Sequence, residues 1–285
     1  MPGTLFVVAT PIGNLDDLSS RAVRTLREVA LIAAEDTRRT AHLLARFAIQ
    51  TPTTSLNEHN ETGKTGPIIG RLMAGESVAL VSDAGTPTVS DPGSHLIRAA
   101  AEAGIRVEPI PGASAILALL SVAALPTSSF TFLGFVPSKA NDRIRFFDNV
   151  LKENRTVVFF EAPHRLQPTL QAMKGHFGDC HIVVGRELTK VHEEIFRGPV
   201  SEALRRFVEP VGEFVIAINL AEHQNLSPPE PISAVQVLQA VAESKGTPGT
   251  SKRRVIQEVA RKLGLTPNRV YEIVESAKGS GEQQK

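Results

Sequence analysis

Val78-Ala79-Leu80-Val81 is an unbroken apolar run. A run of this length bounded by turn residues fits a β-strand buried on both faces, as in a parallel sheet covered by helices. Directly after it come Ser82-Asp83-Ala84-Gly85-Thr86-Pro87 and Ser90-Asp91-Pro92-Gly93, a polar segment stiffened by Pro and loosened by Gly. In an open α/β sheet, ligands lie just beyond the carboxyl ends of the strands. A loop that gathers Ser82, Asp83, Gly85, Thr86, Ser90 and Asp91 at such an end is therefore a candidate ligand loop. Taken alone, the same residues would equally make an ordinary turn.

The same order, apolar run and then polar loop, recurs along the chain. Leu5 to Ala9 is followed by Thr10-Pro11-Ile12-Gly13-Asn14-Leu15, and Leu31 to Ala34 by Glu35-Asp36-Thr37-Arg38-Arg39. Ser55 leads into Leu56-Asn57-Glu58-His59-Asn60-Glu61, and Val107 to Ile110 into Pro111-Gly112-Ala113-Ser114. Between them, apolar residues recur at helical spacing: Leu18, Ala22, Leu26 and Val29; Leu43, Leu44 and Phe47; Ile68 to Met73; Leu96 to Ala103; and a small-residue helix running to Ala124. Leu125 to Ser129 reads as a linker. Beyond it, strands are expected at Phe130 to Phe135, Thr156 to Phe160, His181 to Val184 and Phe214 to Leu220, with a basic segment at Lys139 to Arg145.

Pro228, Pro229 and Pro231 mark a second linker. Past it, Val235, Leu238 and Val241 give one helical face, and Val255, Ile256, Val259, Ala260 and Leu263 another. Gly264 and Thr266-Pro267 form the turn and start of a helix-turn-helix-like unit. The expected fold class is α/β: two tandem α/β domains, 1–124 and 125–225, and a small helical domain over 226–285.

A chain of 285 residues with 42% hydrophobic and 21% charged residues can bury the cores this requires. Its net charge of +1 means that any polyanion must be held by a local patch, and Lys252, Arg253 and Arg254, with Arg261, Lys262 and Arg269, supply one. Cys180 is the only cysteine, so an intrachain disulfide and a cysteine-based zinc site are excluded. Met1 to Leu5 lacks the features of a secretory signal, and the apolar window Ala113 to Leu125 is too short to cross a bilayer; the expected location is the cytoplasm, with no membrane partner.

Three motif readings fail. Gly63-Lys64-Thr65 has Glu58 where a phosphate-binding loop needs Gly, His192-Glu193-Glu194-Ile195-Phe196 has Phe where a zinc-protease signature needs its second His, and no GxGxxG occurs.

Taken in order, Thr10 to Leu15, Glu35 to Arg38, Glu58 to Glu61, Ser82 to Pro87 with Ser90 to Gly93, and Arg186-Glu187-Leu188-Thr189-Lys190 resemble the bacterial ribosomal RNA small-subunit methyltransferase I family of the tetrapyrrole methylase superfamily. The resemblance spans about residues 4 to 222. It implies S-adenosyl-L-methionine bound between two α/β domains, and methylation of the ribose 2′-hydroxyl of a cytidine in the decoding region of 16S rRNA. It also implies a homodimer that acts on 16S rRNA or the small ribosomal subunit. By position, Pro11, Asp83, Gly85, Thr86, Ala113 and Ser114 are expected in the cofactor pocket, with Phe160, Leu188 and Ala217 from the second lobe. The Gly-Asp-Pro loop of the tetrapyrrole enzymes is here Ser82 to Pro87, a departure from the superfamily pattern.

A ribose hydroxyl is a poor nucleophile near neutral pH, so the protein must position it and offer a proton acceptor. His59, Glu58, Glu61, Glu35 and Asp36 are the candidates, while Arg38 and Arg39 can hold a phosphate. On this reading His59→Ala loses turnover and Asp83→Ala loses cofactor affinity. Lys139 and Arg143 join Arg39, Lys252, Arg253 and Arg254 as RNA contacts. No metal is expected, since a sulfonium methyl needs none. With 5% aromatic residues, no Trp and one Tyr, extensive base stacking is disfavoured, and recognition should rest on phosphates and RNA shape. A precorrin-type tetrapyrrole C-methyltransferase is the alternative enzyme, sharing fold and cofactor without needing a basic appendix; a nonenzymatic ribosome-binding protein is the third reading.

Overall fold

The computed structural model describes residues 1–221 and, beyond them, Val237, Ala240, Val241, Val255 to Gln257, Val259, Ala260, Val270, Tyr271 and Val274. Residues 1–221 form one compact unit and 222–285 a second. The first unit holds two five-stranded sheets.

The first sheet contains β1 (Thr4–Val8), β2 (Leu31–Ala34), β3 (Thr53–Ser55), β4 (Val78–Val81) and β5 (Arg106–Ile110), in the order β3-β2-β4-β1-β5, all parallel. Side chains alternate along a strand, so each apolar run serves two faces. Val8, Ile32, Ala34, Ala79 and Val81 meet Ala22, Leu26, Leu43 and Leu44 of α1 (Ser20–Glu28) and α2 (Thr37–Arg46). Leu5, Leu31, Ala33, Val78 and Leu80 meet Ile68, Leu72, Leu96 and Ala100 of α3 (Glu61–Met73) and α4 (Ser94–Glu102). The chain thus leaves β1 for one face and β4, its neighbour, for the other. The two exits part at the carboxyl ends of these strands, which is where an α/β sheet opens a crevice.

The second sheet contains β6 (Phe130–Phe135), β7 (Thr156–Glu161), β8 (His181–Arg186), β9 (Glu194–Pro199) and β10 (Phe214–Ile218), in the order β6-β7-β10-β8-β9. Only β6 and β7 are parallel; β10 runs antiparallel to β7 and β8, and β9 antiparallel to β8. One face is covered by α6 (Ala140–Val150), α7 (Pro163–Phe177) and α8 (Val200–Arg206), whose Phe147, Leu166, Leu170, Met173 and Ala203 pack with Val157, Phe159, Ile182, Val184 and Ile216.

The other face is covered by α5 (Ala115–Val122), which follows the first sheet. Ile116, Leu119 and Leu120 pack with Val158, Val183, Val215 and Ala217. The helix therefore carries the core of one half onto the sheet of the other, and cleft-lining loops of both halves are held in fixed relation.

Sequence expectation and structure differ in several elements. Helix α3 starts at Glu61 rather than near Ile68, so Gly63-Lys64-Thr65 lies in its first turns. Strand β9 and helices α7 and α8 were not anticipated, and the basic segment from Lys139 to Arg145, read without an element, leads into helix α6. In the second unit, Val237, Ala240, Val241, Val255, Ile256, Val259, Ala260, Val270 and Val274 form a buried cluster. Val235, Leu238, Leu263, the Pro-rich segment and the basic residues Lys252, Arg253, Arg254, Arg261, Lys262 and Arg269 lie outside the described residues. Among the described residues no helix is long and apolar enough to cross a membrane.

Candidate active site

A cleft of about 420 Å³ opens where the strand ends of the two sheets face each other. The first half contributes Ile12, Glu35, Arg39, Asp83 to Thr86, Val89 to Asp91 and Ser114 to Ile116; the second contributes Phe135, Phe160 to Pro163 and Glu213 to Val215. Strand β7 ends at the cleft, and β10, being antiparallel to it, begins there.

The loop after β4 is built to keep its shape. Thr10 and Gly85 exchange backbone hydrogen bonds of 2.8 and 3.1 Å, tying it to the loop after β1. Gly85 has φ +76°, and a Cβ there would lie 3.6 Å from Ile12 Cγ2. Thr88 (φ +74°) and Ser90 (φ +68°) also occupy the left-handed region without being glycine. Such backbone is costly for a β-branched residue and persists only where surrounding contacts hold it, most often at functional sites.

Acidic side chains converge in the cleft. The Asp83 carboxylate accepts the Asp36 N–H at 3.1 Å and faces Arg39 Nη1 at 3.2 Å, while its own N–H donates to Glu35 Oε2 at 3.2 Å. Burial pushes the Glu35 carboxyl above its usual range; the Asp83 N–H opposes the rise, and the Asp83 charge adds to it. Asp91 is pushed up to about 6, first by burial, with the Ser82 hydroxyl opposing and the Glu35 and Asp83 charges contributing. Glu161, also on the wall, is tied by Thr169 Oγ1 at 2.6 Å, the Ala162 N–H at 2.8 Å and Arg165 Nη2 at 2.8 Å.

On the second-lobe side, the turn after β8 clasps the loop after β1. The Asn14 N–H donates to Thr189 Oγ1 at 3.1 Å, and a Cβ on Gly13 would lie only 2.9 Å from the Leu188 carbonyl. Glu187 (φ +49°) and Thr189 (φ +67°) are left-handed in this turn. Lys190 Nζ bridges Glu187 at 2.8 Å and Glu213 at 3.2 Å, so the turn also anchors a cleft residue.

Of the residues named from sequence, Glu35, Arg39, Asp83, Gly85, Thr86, Ser114 and Phe160 line the cleft. Pro11 is buried beside Ile12, and the Ala113 carbonyl lies 3.9 Å from the point where a Cβ on Gly85 would sit. Leu188 and Ala217 lie in the core between the lobes, behind the wall rather than on it. Asp36 caps α2, its side chain accepting the Arg38 N–H at 2.8 Å, and Arg38 is exposed.

The 58–61 segment is not among the lining residues. His59 and Glu58 are exposed and pair with each other at 3.5 Å. Glu61 is buried, its Oε1 accepting the His95 and Leu96 N–H groups at 2.8 and 3.3 Å at the start of α4. Lys139 is exposed at the start of α6, and Arg143 Nη1 donates to the Ser138 carbonyl at 3.3 Å. Sequence reasoning placed Asp91 in the ligand loop without giving it a chemical role; burial, invisible in the residue string, singles it out. Glu213 and Phe135 carried no sequence signal beyond the Gly that precedes Phe135.

Residues 4–204 match the Tetrapyrrole (Corrin/Porphyrin) Methylases family. A Pseudomonas aeruginosa protein named ribosomal RNA small subunit methyltransferase I is 54% identical over 201 residues, 70% of this chain and 71% of its own length. A Synechocystis protein of the same name is 41% identical over 274 residues, 95% of this chain and 97% of its own. The chain belongs to the ribosomal RNA small subunit methyltransferase I family. The fold of this methyltransferase I family member is shared with a uroporphyrin-III C-methyl transferase from Thermus thermophilus, solved in complex with S-adenyl homocysteine. That structure has a TM-score of 0.54 at 16% identity, covering 78% of this chain and 100% of the other. The methyltransferase I family chain thus keeps the tetrapyrrole methylase architecture while its sequence follows the ribosomal RNA branch.

Proposed function

We propose that this chain is a methyltransferase that uses S-adenosyl-L-methionine to methylate the ribose 2′-hydroxyl of a cytidine in the decoding region of 16S rRNA. We infer further that it acts in the cytoplasm as a homodimer. The observation that carries the reading is the cleft, where Glu35 and Asp91, carboxyls made more basic by burial, stand beside the backbone of a rigid strand-end loop.

The cleft fits the cofactor. Its volume of about 420 Å³ lies in the range of small-molecule sites. Ile116, Val215 and Phe160 offer apolar walls for an adenine, Ser114 caps the helix that opens at the site, and Gly85 and Thr86 bring backbone close. Bound there, S-adenosyl-L-methionine supplies a methyl on a sulfonium that is electrophilic without a metal.

The chain's own residues do the rest. Asp83 locks the loops after β2 and β4 together through Asp36, Glu35 and Arg39. Asp91 accepts the hydroxyl proton, because a carboxyl that titrates near 6 is ionised at neutral pH yet more basic than an ordinary one. The charge of Glu35, whose own carboxyl is also raised by burial, adds to the basicity of Asp91. Exposed Arg38, with Arg39 at the cleft wall, holds a neighbouring phosphate. The Synechocystis relative supports RNA over a tetrapyrrole, since its match covers 95% of this chain and so extends into the basic C-terminal segment.

The test is to incubate methyl-labelled S-adenosyl-L-methionine with small ribosomal subunits lacking the modification. Label is expected in 16S rRNA as an alkali-resistant dinucleotide, the signature of a blocked 2′-hydroxyl. Label on a base, or on a tetrapyrrole substrate in place of RNA, would refute the reading, and light scattering checks the dimer.

A further inference from the structure

Phe135 has no place in the chemistry above, yet the fold goes to some trouble to aim it. It is the last residue of β6, and pairing with β7 slips register between Phe132 and Phe135. The slip is made by Gly134, whose φ of +68° is left-handed. Irregularities of this kind re-aim a side chain at a sheet edge. Here Phe135 lines the cleft, 52% exposed, with its ring centroid 5.2 Å from that of Phe160, which Phe132 in turn supports edge-on at 4.9 Å. Val89, also a lining residue, is a second apolar side chain left 40% exposed, and Oγ of the next residue, Ser90, lies 3.5 Å from where a Cβ on Gly134 would be.

A solvated aromatic side chain backed by two further rings, in a cleft that also exposes Val89, offers an apolar face to a ligand. Phosphate is disfavoured there by Glu35, Asp83 and Asp91. A flat, uncharged ring suits it. Drawing a ribose down to a half-buried acceptor inside a cleft pulls its nucleotide from the RNA stack, and the stacking then lost must be replaced.

We propose that Phe135 is the stacking platform for the nucleobase of the target nucleotide. The inference rests on the RNA reading above. It is compatible with the low aromatic content, because one platform for one extruded base is all that is needed.

Phe135→Leu and Phe135→Trp test it in the full-length enzyme. With Phe135→Leu, S-adenosyl-L-methionine affinity measured without RNA stays within about twofold, while kcat/KM for small subunits falls about 5- to 100-fold, the scale of one lost base–aromatic stack. Phe135→Trp keeps transfer. Since the chain has no other Trp, its emission reports the platform directly. Unmethylated small subunits added with S-adenosyl-L-homocysteine should quench it, and S-adenosyl-L-homocysteine alone should not. Wild-type transfer by Phe135→Leu, a parallel loss of cofactor affinity, or quenching by S-adenosyl-L-homocysteine alone would each overturn the platform while leaving the RNA reading intact. A wild-type enzyme that labels no RNA would overturn both.

Discussion

Asp91 and His59 show how far the identity of a residue falls short of its environment. His59 has the side chain best suited to proton transfer near neutral pH, but it is exposed, is not among the residues that line the cleft, and its ring pairs with Glu58. Asp91 is an unremarkable carboxyl made useful by burial beside Glu35 and Asp83. The expected outcome is therefore the reverse of the sequence reading: His59→Ala retains turnover, and Asp91→Asn loses it.

The proposed proton acceptor, Asp91, would work when ionised, so the rate should rise with pH through about 6 in the wild type, and a pH–rate profile of Asp91→Asn should lack that limb. Stability carries the opposite sign. The folded state holds the Asp91 proton more tightly than the unfolded chain, so stability declines as pH rises from the ordinary carboxyl value of 3.8 to about 6. Asp91→Asn should then melt higher than wild type at pH 7, a gain in stability at the expense of activity that thermal denaturation would register. Asp83→Ala removes an acceptor for the Asp36 N–H and the partner of Arg39, and calorimetric titration should show cofactor affinity weakened about 10- to 100-fold.

Among the elements, those with continuous apolar runs were legible. The runs Leu31 to Ala34 and Val78 to Val81 coincide with β2 and β4, because strands buried on both faces need no polar residue. Strand β6, at the sheet edge and only partly buried, showed itself through its three Phe and Leu133 instead. The direction of β10 was not legible, since an apolar run of this kind reads alike in parallel and antiparallel pairing. Strand β9, at the sheet edge, carries Glu194, Arg197, Gly198 and Pro199, which suit an edge and hide the strand. The first half of α3 was obscured by Gly63, Gly66 and Pro67.

Helix α3 also explains Glu61. Its buried carboxylate supplies acceptors to the first N–H groups of α4, the capping that helix lacks from its own residue Gly93, and it places negative charge at the positive end of the helix dipole. Glu61→Ala should cost about 1–2 kcal/mol in denaturant unfolding. Glu61→Gln, which keeps an oxygen, should cost less, and both should methylate normally below their melting range. A turnover defect in Glu61→Gln without a stability defect would return Glu61 to the catalytic candidates.

At the scale of the molecule, the cleft is only as good as the register between its two walls. The clasp at Gly13 fixes that register. A methyl at position 13 has no room against Leu188 and Thr189, so Gly13→Ala must displace the 187–190 turn, which anchors Glu213 through Lys190. Cofactor affinity and turnover should fall together, in contrast to Phe135→Leu, where they separate.

Substrate holding is a different problem, because a chain of net charge +1 exerts no overall pull on RNA. The attraction must come from local clusters, and the densest in the sequence, Lys252-Arg253-Arg254, belongs to the second unit, whereas the residues that build the cleft belong to the first. Binding and chemistry should therefore come apart under mutation. In the full-length protein with all three changed to Gln, S-adenosyl-L-methionine affinity should equal that of wild type. Affinity for small subunits should drop, and the slope of log K against log salt should become shallower by about 2, each lost phosphate contact removing about 0.7–0.9. An unchanged slope would move the RNA contacts to the first unit, with Arg38, Arg39, Lys139 and Arg143 as the residues to examine next.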